Sequence, residues 1–216
     1  MANYHPNDEL LMQFAAGQQS NALGLAIACH LETCAVCRER TAMYDRLGGE
    51  LLTVSDPVPV SNDLLNRIMN KLDEGDSEEP WKAEQVIIDI PKVPRPLRRF
   101  VPDELSKLNW TGFSRNIKEF ELPIIDPVYK AKFYKISAGK ELPVHTHRGN
   151  EYTMVMQGSF SDNAGEYHTG DFILADTSTI HQPRAAENED CICFAVMDAP
   201  LKMTGLFGRL LNPFMR

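Results

Sequence analysis

Three histidines and a glutamate constrain this chain more than any other feature: His145-Thr-His147, then Glu151, then His181 in a second glycine-punctuated block. The first block reads Gly139-x5-His145-x-His147-x3-Glu151-x6-Gly158, and the second Gly170-x5-Asp176-x-Ser178-x2-His181. In a strand, residues two apart share a face, so His145 and His147 converge on one point. Glu151 and His181 then arrive from neighbouring strands, as in a small β-barrel. Neither an apolar core nor a solvated face needs this pattern. It predicts the first coordination shell of a metal ion.

These residues carry a resemblance. The two blocks resemble the paired motifs of the cupin superfamily, whose jelly-roll barrels hold a metal in the mouth. The first motif matches at every spaced position. The second keeps its spacing but has Asp176, Ser178 and Ala185 where the family pattern usually has Pro, Gly and Asn. Those departures fall on turn residues rather than on ligands. Cupin membership leaves function open, because the fold hosts enzymes, storage proteins and sensors.

A second set of ligand types lies at the other end: His30-x3-Cys34-x2-Cys37, with His5 upstream. The sequence predicts Thr33 as an N-cap and a helix from Cys34 onward. Cys34 and Cys37 then share a helix face at i and i+3, and the helix dipole favours their thiolates. His30 closes the preceding helix. Two Cys and two His suit a closed tetrahedral structural zinc. The alternatives are a redox-active CxxC, or two half-buried thiols beside an incidental His.

Together the two ends resemble the ChrR-type zinc-binding anti-sigma factors, with both metal motifs in the right order and separation. The resemblance implies zinc ligands His5, His30, Cys34 and Cys37 in a helical domain. In the cupin-like domain it implies His145, His147, Glu151 and His181 around a divalent metal, expected to be zinc. It implies a non-enzymatic transcriptional regulator that sequesters an extracytoplasmic-function sigma factor. It further implies release of that partner under photo-oxidative or peroxide stress (singlet oxygen or organic peroxides).

The expected fold is α+β in two domains: an N-terminal all-α zinc-binding helical bundle and a C-terminal all-β cupin jelly-roll barrel. The divisions are 1–75 helical, 76–96 an acidic and proline-rich linker, 97–200 cupin-like, and 201–216 an apolar tail that is expected to pack on the barrel, the alternative being a short amphipathic helix against a partner. Helices are expected over 7–17, 21–32, 34–47 and 62–74. Pro6 suits the first start, Ser20 or Asn21 caps the second, and Gly48-Gly49 ends the third. In the fourth, Leu64, Leu65, Ile68, Met69 and Leu72 form an apolar stripe, which is either a core face or a partner surface. SDPVPV is a rigid connector, and Gln85–Ile90 reads as an added strand. Further on, 131–137, 151–156, 172–175 and 191–197 read as strands of an antiparallel pattern.

Composition excludes some roles. A formal charge of -8 over 216 residues argues against direct duplex binding, which needs Lys and Arg against phosphates. An acidic protein instead suits a basic, nucleic-acid-binding partner. Five cysteines, two of them in a ligand motif, suggest a reducing compartment rather than a disulfide framework. No early apolar run is long enough to span a bilayer, so a cytoplasmic location is expected. Cys191 and Cys193 alternate on one strand face, as barrel filler or as a redox pair, although a disulfide there is strained. Cys29 is assigned to the core, His168 to the surface, and Trp81 and Trp110 to packing. Two other functions stay in play: a metal-dependent cupin enzyme such as a dioxygenase, with an accessory zinc module, and a small-ligand sensor with a different output partner.

Overall fold

The computed structural model describes residues 2–73, 93–112 and 114–204. The strand expected over 85–90, Trp81 and most of the C-terminal tail lie outside the described residues.

Four helices come first: α1 (Asp8–Ala15), α2 (Asn21–Thr33), α3 (Ala35–Thr53) and α4 (Leu64–Asp73). Asn7 caps α1 by accepting from the Leu10 amide at 2.9 Å, and Ser20 caps α2 by accepting from the Leu23 amide at 3.3 Å. Each cap satisfies an amide that the first turn would otherwise orphan. Two sequence expectations need correction. Cys34, not Thr33, occupies the N-cap position of α3 and makes no side-chain cap bond. The Thr33 hydroxyl instead donates back to the His30 carbonyl at 3.1 Å, inside α2. Gly48-Gly49 does not end α3, which runs on to Thr53. Neither glycine takes the positive φ that a C-terminal cap uses. The helix-favouring Glu50, Leu51 and Leu52 carry it on, and it stops just short of the Asp56-Pro57 pair.

Among the described residues eleven strands follow, all paired antiparallel. They are β1 (Ile117–Glu121), β2 (Lys130–Ile136), β3 (His145–His147), β4 (Glu151–Gln157), β5 (Ser159–Ser161), β6 (Glu166–His168), β7 (Phe172–Ala175), β8 (Ile180–His181), β9 (Arg184–Ala185), β10 (Cys191–Met197) and β11 (Leu201–Met203). A five-stranded sheet has the order β1-β2-β10-β4-β7, and two three-stranded sheets have the orders β11-β3-β8 and β6-β5-β9. Residues 201–203 are therefore the edge partner of the strand that carries His145 and His147.

The large sheet is apolar on both faces, which is why β10 is buried along its whole length. Alternation sorts its side chains. Phe133, Met154, Phe172, Ile192, Phe194 and Val196 point to one face, where they share a continuous core with Leu11, Leu23, Ile27 and Leu97. Ile136, Val155, Cys191 and Cys193 point to the other, against Phe160, Tyr167 and Ala185. Helix α2 thus lies on the outer face of the sheet. Burying each of its large apolar side chains there contributes about 1.5–3 kcal/mol. A short 3₁₀ turn at Arg95–Leu97 covers the same helix.

Helix α4 behaves differently. Leu65, Ile68, Met69 and Leu72 stay 48–69% exposed, and no face among the described residues covers them. The same holds for Met43, Leu47, Leu51 and Leu52 on α3, and for Val58 and Val60 between the helices.

Candidate metal centres

The first cluster forms where the N-terminal arm, α2 and the start of α3 meet. His5 Nδ1 lies 3.5 Å from His30 Nε2, 3.4 Å from Cys34 Sγ and 3.5 Å from Cys37 Sγ. His30 Nε2 is 3.3 Å from Cys37 Sγ. Tetrahedral zinc, with Zn–N near 2.0 and Zn–S near 2.3 Å, requires N···S edges of about 3.5 Å and N···N edges of about 3.3 Å. Four of the six edges among these candidate donor atoms are close to those lengths, and all four atoms lie within 4.8 Å of one another. His30, Cys34 and Cys37 are buried and His5 is half-buried. Burial holds the His30 imidazole down at about 4, so it is neutral and able to ligate at pH 7. Burial and the Cys34 thiol beside it push Cys37 up to about 12. Two imidazoles and two thiols, a soft and borderline donor set, fit a structural divalent cation.

The second cluster forms inside the β domain. His145 and His147 point the same way from β3, and β8 brings His181 opposite His145 in register. His181 Nε2 lies 3.1 Å from His145 Nε2 and 3.2 Å from His147 Nε2. These edges suit three facial ligands of either a tetrahedral or an octahedral ion, whose N···N edges are about 3.3 and about 3.0 Å. Burial lowers both His145 and His147 to about 4, so both are neutral ligands at pH 7. Two of the three far nitrogens are used as a metal site would use them. His145 Nδ1 lies 2.9 Å from the Pro143 carbonyl, and His181 Nδ1 lies 2.8 Å from Asp162 Oδ2.

Glu151 enters on the other side of His147. Its Oε1 accepts from the Thr153 hydroxyl at 2.9 Å, and its Oε2 is 3.7 Å from His147 Nδ1. Both Oε2 and that Nδ1 are buried without a hydrogen-bond partner. Burial raises the Glu151 carboxyl to about 7. The three imidazoles form the compact set that can hold a metal, with Glu151 next to it. A cavity of about 530 Å³ opens beside them, lined by His145, Glu151, His181, Tyr134, Phe160 and Cys193 among others.

Residues 106–199 match the family described as the ChrR cupin-like domain. Over 213 residues, 99% of this chain and 98% of the relative, the sequence is 35% identical to the anti-sigma-E factor ChrR of Cereibacter sphaeroides. The chain belongs to the ChrR anti-sigma factor family. A crystal structure of Rhodobacter sphaeroides SigE in complex with the anti-sigma ChrR agrees, at a TM-score of 0.79 and 32% identity. That match covers 92% of this chain and 100% of the other.

In this ChrR-family chain, His5, His30, Cys34 and Cys37 come together as one group, and His145, His147 and His181 as another. Cys191 and Cys193 project to the cavity side with their sulfurs 3.7 Å apart, and all five cysteines are free thiols. Cys29 is fully buried, His168 is exposed, and Trp110 packs on the main core. Sequence reasoning missed Asp162. Its Oδ1 ties the β5–β6 turn through the Ala164 and Gly165 amides, while Oδ2 orients His181. It also missed Asp171, a fully buried carboxylate in the Gly170-Asp171-Phe172 step. A charged residue wedged between a glycine and an apolar strand was the available signal.

Proposed function

We propose that this protein is an anti-sigma factor that binds an extracytoplasmic-function sigma factor one to one and blocks transcription from it. The observation that carries this reading is the uncovered apolar surface of α3 and α4. An amphipathic helix whose Leu65, Ile68, Met69 and Leu72 stay largely exposed among the described residues suits docking on a partner. The family relationship supports the choice of partner, because the related ChrR forms a complex with SigE. No helix among the described residues is long and apolar enough to cross a membrane, and we assign the protein to the cytoplasm.

Within this reading, His5, His30, Cys34 and Cys37 hold a structural zinc that fixes the arm, α2 and α3 together. His145, His147 and His181 hold a second divalent metal, zinc in the leading case, with Glu151 as the fourth ligand. That second site and its cavity sense oxidants such as singlet oxygen or organic peroxides, and the sigma factor is then released. The regulator acts without catalytic turnover.

The cavity beside three histidines also favours a second reading, a metal-dependent enzyme such as a dioxygenase. Transcription from the partner's promoter, with the full-length protein and with Ile68→Asp/Leu72→Asp, separates these. The anti-sigma reading expects repression by the wild type and none by the variant. Steady oxygen uptake with a small organic substrate, dependent on iron at the three histidines, supports the enzyme instead.

A further inference from the structure

The turn from β6 into β7 reaches out of the cupin-like domain and takes hold of the N-terminal cluster. Asp171 is fully buried. Its Oδ1 accepts from the backbone amides of Asn3 and Tyr4, at 2.5 and 3.1 Å, and its Oδ2 from the His168 amide at 2.8 Å. Only the last of these bonds serves the turn itself; the other two fasten the arm. The Phe172 amide donates to the Tyr4 carbonyl at 3.0 Å, and the Tyr4 ring packs on Tyr167 with centroids 4.8 Å apart. The next residue along the arm is His5.

The same turn reaches His30. The Gly170 carbonyl lies 2.9 Å from His30 Nδ1. With the Nδ1 proton donated there, Nε2 is left bare toward the cluster. Gly170 takes φ +97°, a conformation that L side chains rarely adopt, and the Phe172 ring stands edge-on to the imidazole at 5.8 Å. Both histidines of the cluster are therefore oriented from the β domain, while both cysteines are carried by the helices.

We propose that the Gly170–Phe172 turn, with Asp171 as its positioning residue, completes the N-terminal metal site, so that the cupin-like domain sets how tightly the helical domain holds its metal. This rests on the reading of His5, His30, Cys34 and Cys37 as a metal site. The physical basis is twofold. A ligating imidazole is held in tautomer and orientation by the group on its other nitrogen, and for His30 that group is Gly170. His5 sits on an arm before α1, which the metal alone would otherwise have to order against its chain entropy. The geometry also links the two clusters. Strand β7 runs from this latch at Phe172 to Ala175, which pairs with Glu151. Asp162, which orients His181, also lies 3.4 Å from the Tyr167 hydroxyl, and Tyr167 carries Tyr4.

The test uses the full chain, loaded with cobalt(II) and with zinc. Cobalt–thiolate absorption reports Cys34 and Cys37, and competition with a chromogenic chelator gives the affinity. Asp171→Asn keeps the size of the side chain but leaves the arm or the turn short of an acceptor. It is expected to weaken the thiolate-bearing site on the order of 10–100-fold and to shift its cobalt spectrum. Tyr4→Ala, on the partly exposed arm, weakens the site without endangering the fold. Asp126→Asn is the control. Asp126 joins the two domains in the same manner, accepting from the Ala22 amide at 2.9 Å, but at the far end of α2, and it leaves the affinity unchanged. Wild-type affinity in both Asp171→Asn and Tyr4→Ala overturns the proposal, as does an equal loss in Asp126→Asn. A wild-type chain without any cobalt–thiolate band overturns the metal reading and the latch together. A normal band that Asp171→Asn and Tyr4→Ala leave untouched overturns the latch alone.

Discussion

Asp162→Asn should disable the cupin-like metal site without altering any of the proposed ligands. In the wild type, the two carboxylate oxygens do different work. Oδ2 accepts from His181 Nδ1 at 2.8 Å, and Oδ1 accepts from the Ala164 and Gly165 amides at 2.8 and 3.1 Å. Asparagine has one acceptor oxygen. If that oxygen stays on the turn, the amide NH₂ faces His181 Nδ1, which must become an acceptor. The proton then moves to Nε2, the atom that faces His145 and His147, and a protonated nitrogen cannot ligate. If the amide flips, His181 is satisfied but two turn amides lose their partner inside a side chain that is 4% exposed. Either arrangement costs about 1–3 kcal/mol. The expected loss of metal affinity is therefore about 10–100-fold, in line with outer-shell substitutions generally. Chelator competition on the two-metal protein reads this directly: one equivalent weakens, while the thiolate-bound equivalent is held as before. Unchanged affinity for both equivalents, with a folded protein, would refute the assignment of His181 Nε2 as a ligand oriented by Asp162.

Three further outcomes follow from the same geometry. Cys37→Ser should remove one of the two metal equivalents and free the sigma factor, because a structural zinc supplies on the order of 10 kcal/mol to a small domain; metal content and complex formation by gel filtration check it. Metal uptake at the N-terminal cluster should tighten as pH rises. Burial, with Cys34 beside it, holds the Cys37 thiol at about 12, above its ordinary 9.0, so the thiol is protonated at pH 7 and binding must expel its proton. Calorimetry in buffers of different ionisation enthalpy counts the protons released. Glu151→Ala should leave sigma binding intact but blunt release under oxidant, read as partner-dependent transcription with and without peroxide; a normal response would reduce a metal in the cupin-like domain to a structural role.

Much of the fold and of both clusters was legible in the sequence, for one physical reason. Candidate ligands at i and i+2 on a strand, or at i and i+3 on a helix, are placed together by local geometry alone. His145 with His147, and Cys34 with Cys37, are of this kind. The apolar stripe of α4 was visible for the same reason, and the structure leaves it uncovered. What sequence could not show was set by long-range packing. Gly48-Gly49 looked like a helix end, but a C-terminal cap needs a positive φ that nothing here imposes. Asp162 and Asp171 lie 19 residues from His181 and 167 from Tyr4, and only the folded sheet brings these pairs together. The apolar faces of α2 gave no hint that one side would lie on β4 and β10 rather than close a helical core.

The proposed docking face for a sigma factor is the side of α4 that the described residues leave exposed. The most direct test is to purify the full-length protein from its native cell, identify any stoichiometric partner, and repeat the purification with Ile68→Asp/Leu72→Asp. The expected result is one extracytoplasmic-function sigma factor at one to one with the wild type, and its loss with the variant while both metals remain bound. A wild-type protein that carries no sigma factor, or a complex that survives both aspartates, would contradict it.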